Sequence, residues 1–433
     1  MDIDYVAFEP TSVVNFIYRP RRFMTNLKVG HEEVSDVLKT TECIIDTYGP
    51  RLPGSDACLK VAVHLKKEYE KYCDRVVTID YDQYPGSFFY MTIIIAVTYI
   101  IGVMVYCIPA LLWLAMAFYA LGLFYFMTQF IFFGNIFDKL FKKYHGKTVY
   151  GVVESRAIPR QQIILSAHHD SPRICNFLHS NQKLYAFRSV LPIVFQVYAL
   201  LASAIVLVSK DAFGEITQFY YVTKIILLIG LFFVIPLFWF NSRKGSPGAG
   251  DNLVASVMGI KVAEIVRKHF GSLTNTRIII LSNDGEEIGQ KGVRAFIKKS
   301  QNLLSECKTY VFNIDSIYKY EDLTFLTSDR NGTIPLSTQL ANENIHIATH
   351  LGYNVKKKGI PFGGGGTDAA QFAKSGIEAT SLIGISTAFI RDGLFYHNSN
   401  DTVQNLDLKA IEATIDICLN FILRKEAQSV GAV

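Results

Sequence analysis

The stretch IILSAHHDSPR, residues 163–173, decides the fold because a short apolar run passes directly into a cluster of polar side chains. Residues 163–167 are typical of a buried strand, so His168 and Asp170 would lie where that strand ends and a loop begins. Open α/β sheets hold their ligands and catalytic groups beyond the carboxyl ends of parallel strands. The stretch therefore predicts an α/β protein with a functional site at one edge of its sheet.

Two further apolar runs end in the same way. Residues 277–281 lead to the adjacent acids Glu286 and Glu287, and residues 310–314 lead to Asp315. Because the carboxyl ends of parallel strands meet at one edge of a sheet, we expect these acids to converge with the imidazole of the first stretch.

Two further segments, one with glycines and one with asparagines, complete the set of candidate metal ligands. GAGDNLVAS, residues 248–256, carries Asp251, and FYHNSNDT, residues 395–402, carries His397. Each segment alone has a simpler interpretation, since acids often cap helices or begin them. Together, however, two imidazoles and several carboxylates in five segments suit zinc, which takes nitrogen and oxygen ligands and leaves a position open for water in catalytic sites.

The five segments resemble those of the co-catalytic di-zinc aminopeptidases, whose relatives include glutamate carboxypeptidase, glutaminyl cyclase and the transferrin receptor ectodomain. YGPRLPGSDA, residues 48–57, also resembles a motif of this family. The resemblance covers nearly all of the chain outside its long apolar segments. It implies an α/β fold with a central, mostly parallel mixed sheet flanked by helices, and a zinc metallopeptidase that uses two zinc ions.

The resemblance also implies a role for each residue. Glu286 is expected to be the general base, and Asp170 the carboxylate that orients the ring of His168. Asp251 would bridge the two ions. The expected zinc ligands are His168, Asp251, Glu287, Asp315 and His397.

One segment departs from simple patterns. GIPFGGGGTDAAQF, residues 359–372, contains four consecutive glycines, but their context does not fit a nucleotide-binding loop. We expect Thr367 or Asp368 to cap a helix from Ala369 to Lys374, and the glycines to form a pocket wall.

Composition indicates membrane segments. The 433 residues are 50% hydrophobic and only 19% charged, whereas soluble chains carry about a quarter charged residues. The excess lies in Phe88–Phe133, Ser189–Ser209 and Val222–Phe240. The first of these, which has no charged residue, is long enough for two spans of about 20 residues with a turn near Pro109. Four transmembrane helices in two hairpins are therefore predicted.

The hairpins would interrupt one peptidase domain. The predicted division is peptidase at 1–87, the first hairpin at 88–134, peptidase with the first metal motif at 135–187, the second hairpin at 188–241, and the remaining metal motifs at 242–433. Because each hairpin has two helices, the chain returns to the same side of the membrane, as the assembled site requires.

The distribution of cations predicts that the catalytic domain is cytoplasmic, because cytoplasmic ends of spans are rich in Lys and Arg. In the loops at the opposite ends of the spans, the main cation is Lys210. The beginning, MDIDYVAFEP, lacks the pattern of a signal peptide, and seven cysteines fit a reducing compartment. Sequons at Asn331 and Asn400 are interpreted as chance matches. The cations near the ends on the catalytic side are Lys139, Lys142, Lys143, Lys147, Lys183, Arg188, Arg243 and Lys244.

The predicted function is an integral membrane, zinc-dependent aminopeptidase that acts on peptides near or derived from the membrane. A net charge of +5, concentrated near the spans, favours contact with the lipid bilayer over nucleic acid. Transport is disfavoured, since only Gln129 and Gln196 are conspicuous polar groups within the spans.

Two alternatives stay open. The first is a related metallohydrolase, such as a carboxypeptidase or a lipid-amide hydrolase. A carboxypeptidase would need a basic pocket for a terminal carboxylate, for which Arg173, Arg330 and Arg391 are candidates. The second is a non-catalytic binding or scaffold protein, which is disfavoured because no expected ligand is missing. Glutaminyl cyclase is disfavoured as well, because single-zinc chemistry does not need the second set of ligands.

Overall fold

The computed structural model describes residues 27–213, 218–386 and 393–430. The MDIDYVAFEP segment, the side chain of Lys210 and Arg391, all of which entered the sequence predictions, lie outside the described residues.

An eight-stranded mixed sheet forms the centre of the molecule. Its spatial order is β1-β2-β6-β3-β7-β12-β8-β11, and the four central strands β6, β3, β7 and β12 are parallel. This confirms the predicted fold class. The strands are β1 (Arg75–Gln83), β2 (Tyr144–Val153), β3 (Gln161–His168), β4 (Arg173–Cys175), β5 (Asn241–Gly245), β6 (Thr276–Asn283), β7 (Lys308–Ile317), β8 (Thr324–Leu326), β9 (Ser328–Asp329), β10 (Ile334–Pro335), β11 (Lys356–Lys358) and β12 (Glu378–Gly384).

Helices cover both faces of the sheet and form the apolar hairpins. They are α1 (His31–Tyr48), α2 (Asp56–Tyr69), α3 (Pro85–Phe89), α4 (Met91–Tyr106), α5 (Leu112–Phe126), α6 (Asn176–Ser180), α7 (Tyr185–Phe213), α8 (Gln218–Val234), α9 (Val254–Phe270), α10 (Lys291–Lys299), α11 (Gln301–Ser305), α12 (Thr338–Leu351), α13 (Ala369–Lys374) and α14 (Leu408–Val430).

The central strands form because their side chains are buried on both faces. Every residue of β3 is buried: Ile163 packs in a core with α9 and α14, and Ile164 packs in the opposite core with α10 and α13. The strand extends beyond the apolar run that predicted it. Gln161 and Gln162 are buried at its beginning because their amides donate hydrogen bonds to Thr276 Oγ1 and Thr309 Oγ1 of the neighbouring strands.

The strand register brings the predicted site residues to one edge. His168 at the end of β3 pairs with Asn283 at the end of β6, and Asp315 on β7 pairs with Ile383 of β12. The turn that carries Glu286 begins directly after β6. The carboxyl ends of the parallel strands therefore present these groups together.

Among the described residues, three helical stretches are long and apolar enough to cross a membrane: Pro109–Ile131, Gln182–Ser209 and Gln218–Trp239. The remaining apolar helix, α4, has 16 residues. At about 1.5 Å per residue it spans roughly 24 Å, which is less than the hydrocarbon core of about 30 Å. The prediction of four full spans is therefore not confirmed.

Side-chain hydrogen bonds to helix backbones hold the four apolar helices together. The amide of Gln196 donates to Tyr119 O at 3.1 Å, the hydroxyl of Tyr99 to Leu227 O at 3.1 Å, and the hydroxyl of Tyr220 to Tyr106 O at 3.0 Å. Each bond joins two different helices, so we call α4, α5, α7 and α8 the apolar bundle.

Both hairpins are attached to the loops of the sheet edge. After the first hairpin, the buried carboxylate of Asp138 pairs with Lys291 Nζ at 2.8 Å, at the start of α10. Beside the second hairpin, β4 and β5 form a two-stranded ribbon, and Cys175 N donates to His397 O at 2.9 Å. The segments that flank the apolar bundle therefore contact loops at the edge of the sheet that holds the candidate site.

Candidate metal centre

His168 stands at the middle of a cluster of carboxylates. Its Nε2 lies 3.3 Å from Asp251 Oδ1, 3.8 Å from Asp315 Oδ2 and 4.0 Å from Glu286 Oε2. The ring is buried. One imidazole and three carboxylates thus face a common space at the end of β3.

A second cluster shares Asp251 with the first. The other carboxylate oxygen, Oδ2, lies 3.2 Å from His397 Nε2, which is 3.4 Å from Glu287 Oε2. The potential ligand atoms of this group lie within 4.8 Å of one another, as do those of His168, Asp251 and Asp315. The structure therefore brings all five predicted ligands together, with one oxygen of Asp251 facing each cluster.

Asp170 connects the ring of His168 to the turn that carries the two glutamates. Its Oδ1 lies 3.3 Å from His168 Nδ1, and its carboxylate accepts hydrogen bonds from Glu286 N at 3.3 Å and Glu287 N at 3.1 Å. The predicted orienting residue thus also holds the backbone of the predicted base.

The turn after β6 requires a glycine. Gly285 has a φ of 72°, and a Cβ atom there would lie 2.5 Å from the Oε1 of Gln83. Any other residue would be strained in this conformation and would meet that side chain. The glycine therefore lets the chain turn sharply enough to aim Glu286 and Glu287 at the cluster.

Arg51 is a site residue to which the sequence analysis gave no role. It is fully buried and donates to His169 O at 2.7 Å, to Pro247 O at 2.8 Å and to Gly248 O at 2.7 Å. These carbonyls lie in the two loops that carry His168 and Asp251. The YGPRLPGSDA segment signalled importance, but only the structure shows that its arginine joins these loops.

Asp401 was also missed, although it lies within the FYHNSNDT segment. Its carboxylate accepts from Gly250 N at 2.7 Å, from Asp251 N at 3.3 Å and from the Tyr318 hydroxyl at 2.9 Å. It therefore fixes the backbone of the shared aspartate. The adjacent peptide bond between Asp251 and Asn252 is cis.

The glycine-rich segment packs beside the same edge. Helix α13 has the predicted bounds, and Thr367 Oγ1 accepts from Ala369 N at 3.4 Å at its start. Asp368 does not cap the helix; its Oδ2 instead accepts from the amide of Asn283 at 2.6 Å. The carboxylate of Asp368 is thereby held near the turn that carries Glu286.

Four buried atoms in the cluster have no hydrogen-bond partner among the residues that the structure describes: His168 Nε2, His397 Nε2, Asp251 Oδ2 and Glu287 Oε1. Buried polar atoms are nearly always paired, so their grouping around shared spaces marks a place for a cation. Burial and the charge of Asp251 raise the pKa of Glu287 to about 8. Burial also raises the pKa of Asp315 to about 8. A bound cation would stabilise both carboxylates, and the nitrogen and oxygen donors fit zinc.

An α/β sheet with these donors at the carboxyl ends of its strands provides a site that fits zinc. Residues 239–422 match the model of peptidase family M28, which supports a zinc metallopeptidase. The matched segment contains Asp251, Glu286, Glu287, Asp315 and His397. His168 lies before the second hairpin and outside the match.

Solved structures agree with the fold. A zinc aminopeptidase from Bacillus subtilis is 12% identical, with a TM-score of 0.54, over 90% of this chain and 95% of its own. A glutaminyl cyclase from Fimbriiglobus ruber is 13% identical, with a TM-score of 0.54, over 92% and 97%. A Zn-dependent exopeptidase from Parabacteroides distasonis is 12% identical, with a TM-score of 0.50, over 92% and 99%. No curated protein sequence matched the chain.

Proposed function

We propose that this zinc exopeptidase is a membrane-anchored aminopeptidase with two zinc ions. The observation that carries the proposal is the shared position of Asp251, which presents one oxygen to the cluster of His168 and Asp315 and the other to the cluster of Glu287 and His397. A bridging carboxylate with an imidazole and a carboxylate on each side supplies ligands for two ions. A single-zinc enzyme would not need the second cluster.

The residues divide the work of amide hydrolysis. Bound between these donors, zinc would lower the pKa of a water molecule and polarise the scissile carbonyl. Glu286 lies at the edge of the first cluster, where it accepts a proton from the attacking water and donates one to the leaving amine. General acid–base catalysis of this kind contributes about 10²- to 10⁴-fold in rate. The carboxylate of Asp170 keeps Glu286 in place because it accepts a hydrogen bond from the backbone N–H of Glu286.

The experiment is hydrolysis of a peptide set by the purified, zinc-loaded protein. Each peptide is supplied with a free and with an N-acetylated amino terminus, and Glu286→Gln serves as the blank. We expect free peptides only to be shortened, one residue at a time, with activity lost in the variant. Equal cleavage of free and N-acetylated peptides would instead indicate a carboxypeptidase or an amide hydrolase. Inactivity of both proteins would support a binding function.

The outer surface of the apolar bundle supports membrane anchoring. No more than a third of each long apolar stretch is buried, and large side chains such as Met104 and Phe232 are 66% and 78% exposed. Exposed apolar surface of this extent is costly in water and stable in lipid. The bundle is therefore proposed to insert in the bilayer as two hairpins.

The catalytic domain is proposed to face the cytoplasm. Lys142, Lys143 and Lys244 near the hairpin ends are exposed, where they can meet anionic headgroups. The side chain of Asn331, in contrast, is buried and donates to Phe130 O at 2.6 Å, which leaves no room for a glycan.

Cys43, an exposed thiol on α1, allows a test of this orientation. A membrane-impermeant maleimide should label Cys43 in inverted membrane vesicles and leave it unlabelled in right-side-out vesicles. A Cys43→Ser variant accounts for labelling of the other cysteines. The opposite pattern would place the catalytic domain outside.

The attachment of both hairpins to the site suggests substrates at the membrane surface. Asn331 contacts Phe130 O at the end of the first hairpin, and Cys175 contacts His397 O next to the second. We propose that peptides released at or bound to the bilayer are the substrates. In proteoliposomes, a lipid-tethered peptide should be cleaved faster than its soluble counterpart, and detergent should abolish the difference. Equal rates in proteoliposomes would contradict this idea.

A further inference from the structure

Arg330 is a buried cation that the proposed mechanism does not use. It occupies the left-handed turn after β9, with a φ of 44° and only 6% of its surface exposed. Its Nε and Nη1 have no hydrogen-bond partner in the described part of the chain. Arg294 on α10 has the same property at Nε, while its Nη2 donates to Phe133 O.

The acids near these arginines are already engaged. The Asp329 carboxylate accepts from Arg330 N at 2.6 Å, from Thr367 N at 2.8 Å and from the Thr367 hydroxyl at 2.6 Å. Among the described residues, no ion pair joins either guanidinium to a carboxylate. Burial and the charge of Arg330 lower the pKa of Arg294 to about 10. Guanidinium N–H groups that are buried without an acceptor are unfavourable, so an anion that accepts from them would be stabilised there.

The turn that carries Arg330 packs against a segment that reaches the candidate metal centre. Gly366 packs on the backbone of Arg330, since a Cβ atom there would fall 2.9 Å from the Arg330 Cα. Two residues later, Asp368 accepts from Asn283, which begins the turn to Glu286. The segment 366–368 therefore connects the turn of Arg330 with the turn that carries the predicted base.

We propose that Arg330 and Arg294 bind the C-terminal carboxylate of the peptide substrate, so that the enzyme acts on peptides of a few residues. The inference rests on the aminopeptidase function proposed above. Guanidinium groups match carboxylates in shape and charge and bind them with two parallel hydrogen bonds. Because an extended residue spans no more than about 3.5 Å, the separation of the metal centre and the arginines limits the length of a peptide whose two ends occupy both.

The phosphate of a lipid headgroup has similar chemistry but fits the position less well. Arg330 is covered by protein, whereas Lys139, Lys142 and Lys143 at the end of the first hairpin are exposed. Headgroups approach a protein from its surface and would meet these lysines first. Arg330, with the half-buried Arg294, is better placed for a group delivered inside the site by the substrate.

The test compares a tripeptide with its C-terminal amide. For the wild-type, zinc-loaded protein we expect kcat/KM to be about 10- to 100-fold higher for the acid, the range for hydrogen bonds between charged groups. Arg330→Met should lower kcat/KM for the acid to the level of the amide and leave the amide unchanged. The preference should also vanish for peptides of six or more residues, whose carboxylate lies beyond the site.

Two further variants keep the result interpretable. Lys298→Met removes one charge from an exposed position on the same helix as Arg294 and should keep the preference for the acid. Arg294→Gln should reduce that preference even if Arg330→Met does not fold. If wild type cleaves acid and amide equally, the carboxylate site is wrong and the aminopeptidase function stands. If it cleaves neither, the aminopeptidase function is wrong.

Vesicles distinguish the lipid source. If the rate depends on the content of anionic lipid, and Arg330→Met removes only that dependence, the site binds a headgroup phosphate and the carboxylate proposal is overturned. The same rate in neutral and anionic vesicles, with the acid preferred over the amide in both, supports the carboxylate proposal.

Discussion

The candidate metal centre and the apolar bundle both bury polar side chains, but the hydrogen bonding of these side chains differs. In the bundle, the amide of Gln196 and the hydroxyls of Tyr99 and Tyr220 donate to carbonyls of neighbouring helices. Among the described residues, most buried atoms that stay unpaired there, such as the hydroxyls of Tyr106 and Tyr119, are neutral; the exception is Nε of Arg188 at the start of α7. In the centre the unpaired atoms belong to imidazoles and carboxylates. Burial alone therefore does not mark a site; unpaired ionisable atoms that face one another do.

The largest effect is expected for Asp251→Asn, which removes a charge that both clusters share. Changes to residues that merely orient metal ligands cost about 10- to 100-fold in metal affinity or activity. The loss of a shared ligand should exceed this, so we expect activity to fall more than about 100-fold and bound zinc to decrease. Peptide hydrolysis and metal analysis of the purified variant measure both. A variant with full zinc content and activity would exclude the bridging role.

Arg51 offers the next comparison, because it is buried and charged but fully hydrogen-bonded to three backbone carbonyls of the site loops. We expect Arg51→Met to reduce zinc affinity and kcat/KM by about 10- to 100-fold, as for other residues that orient ligands. Arg51→Lys should have a higher zinc affinity than Arg51→Met, because lysine keeps the positive charge but lacks the planar guanidinium group with its several donors. If Arg51→Met lowered thermal stability with zinc affinity unchanged, the arginine would serve the fold alone.

The sequence predicted the centre more fully than the bundle. His168, Glu286 and Asp315 could be placed at one edge because each follows an apolar run, and the parallel register of the strands does bring their ends together. Arg51 and Asp401 could not be assigned in this way. They act through hydrogen bonds to backbone atoms distant in sequence, and such contacts leave no local pattern.

Helix length in the bundle was harder to predict, because an uncharged run does not show where its helices begin and end. The segment Phe88–Phe133 is uncharged throughout, yet α4 ends at Tyr106 after 16 residues and the next helical stretch begins at Pro109. Proline cannot donate the backbone hydrogen bond that would continue a helix. Composition gave the apolar character of the hairpin, while this break determined the unequal lengths of its helices.

After zinc is removed, the stability of the protein should depend on pH through ionisable groups of the centre and not through groups of the bundle. Without zinc, Glu287 and Asp315 have a pKa of about 8, so their contribution to stability falls as pH rises from their unfolded values near 4 towards 8. Burial acts to lower the pKa of His397, but Glu287 and Asp251 outweigh it and raise the pKa to about 10. The stability that this histidine gives below about pH 6.5 is therefore lost as pH rises towards 10.

The raised pKa values of the two carboxyl groups and of His397 all lower the stability of the zinc-free protein as pH rises from 5 to 9. We expect the zinc-free protein to lose thermal stability over this range, and the increase in Tm on adding zinc to be larger at pH 9 than at pH 5. Free zinc at 100 times its Kd would stabilise the protein by about 2.7 kcal/mol. Thermal unfolding with and without a chelator provides the measurement. An equal zinc effect at both pH values would show that the ions do not replace protons on these groups.

The smallest effect is expected for Gln196→Leu in the bundle. The substitution keeps the size of the side chain but removes the hydrogen bond to Tyr119 O and the longer contact with Thr98 Oγ1 at 3.4 Å. If the bundle lies in lipid, as proposed, such a bond contributes about 0.6 kcal/mol on average, because separated membrane helices find other partners. The variant should therefore lose a few degrees of Tm at most, with kcat, KM and zinc content unchanged. A tenfold loss of activity would show that the bundle transmits its packing to the catalytic loops, through attachments such as the pair between Asp138 and Lys291.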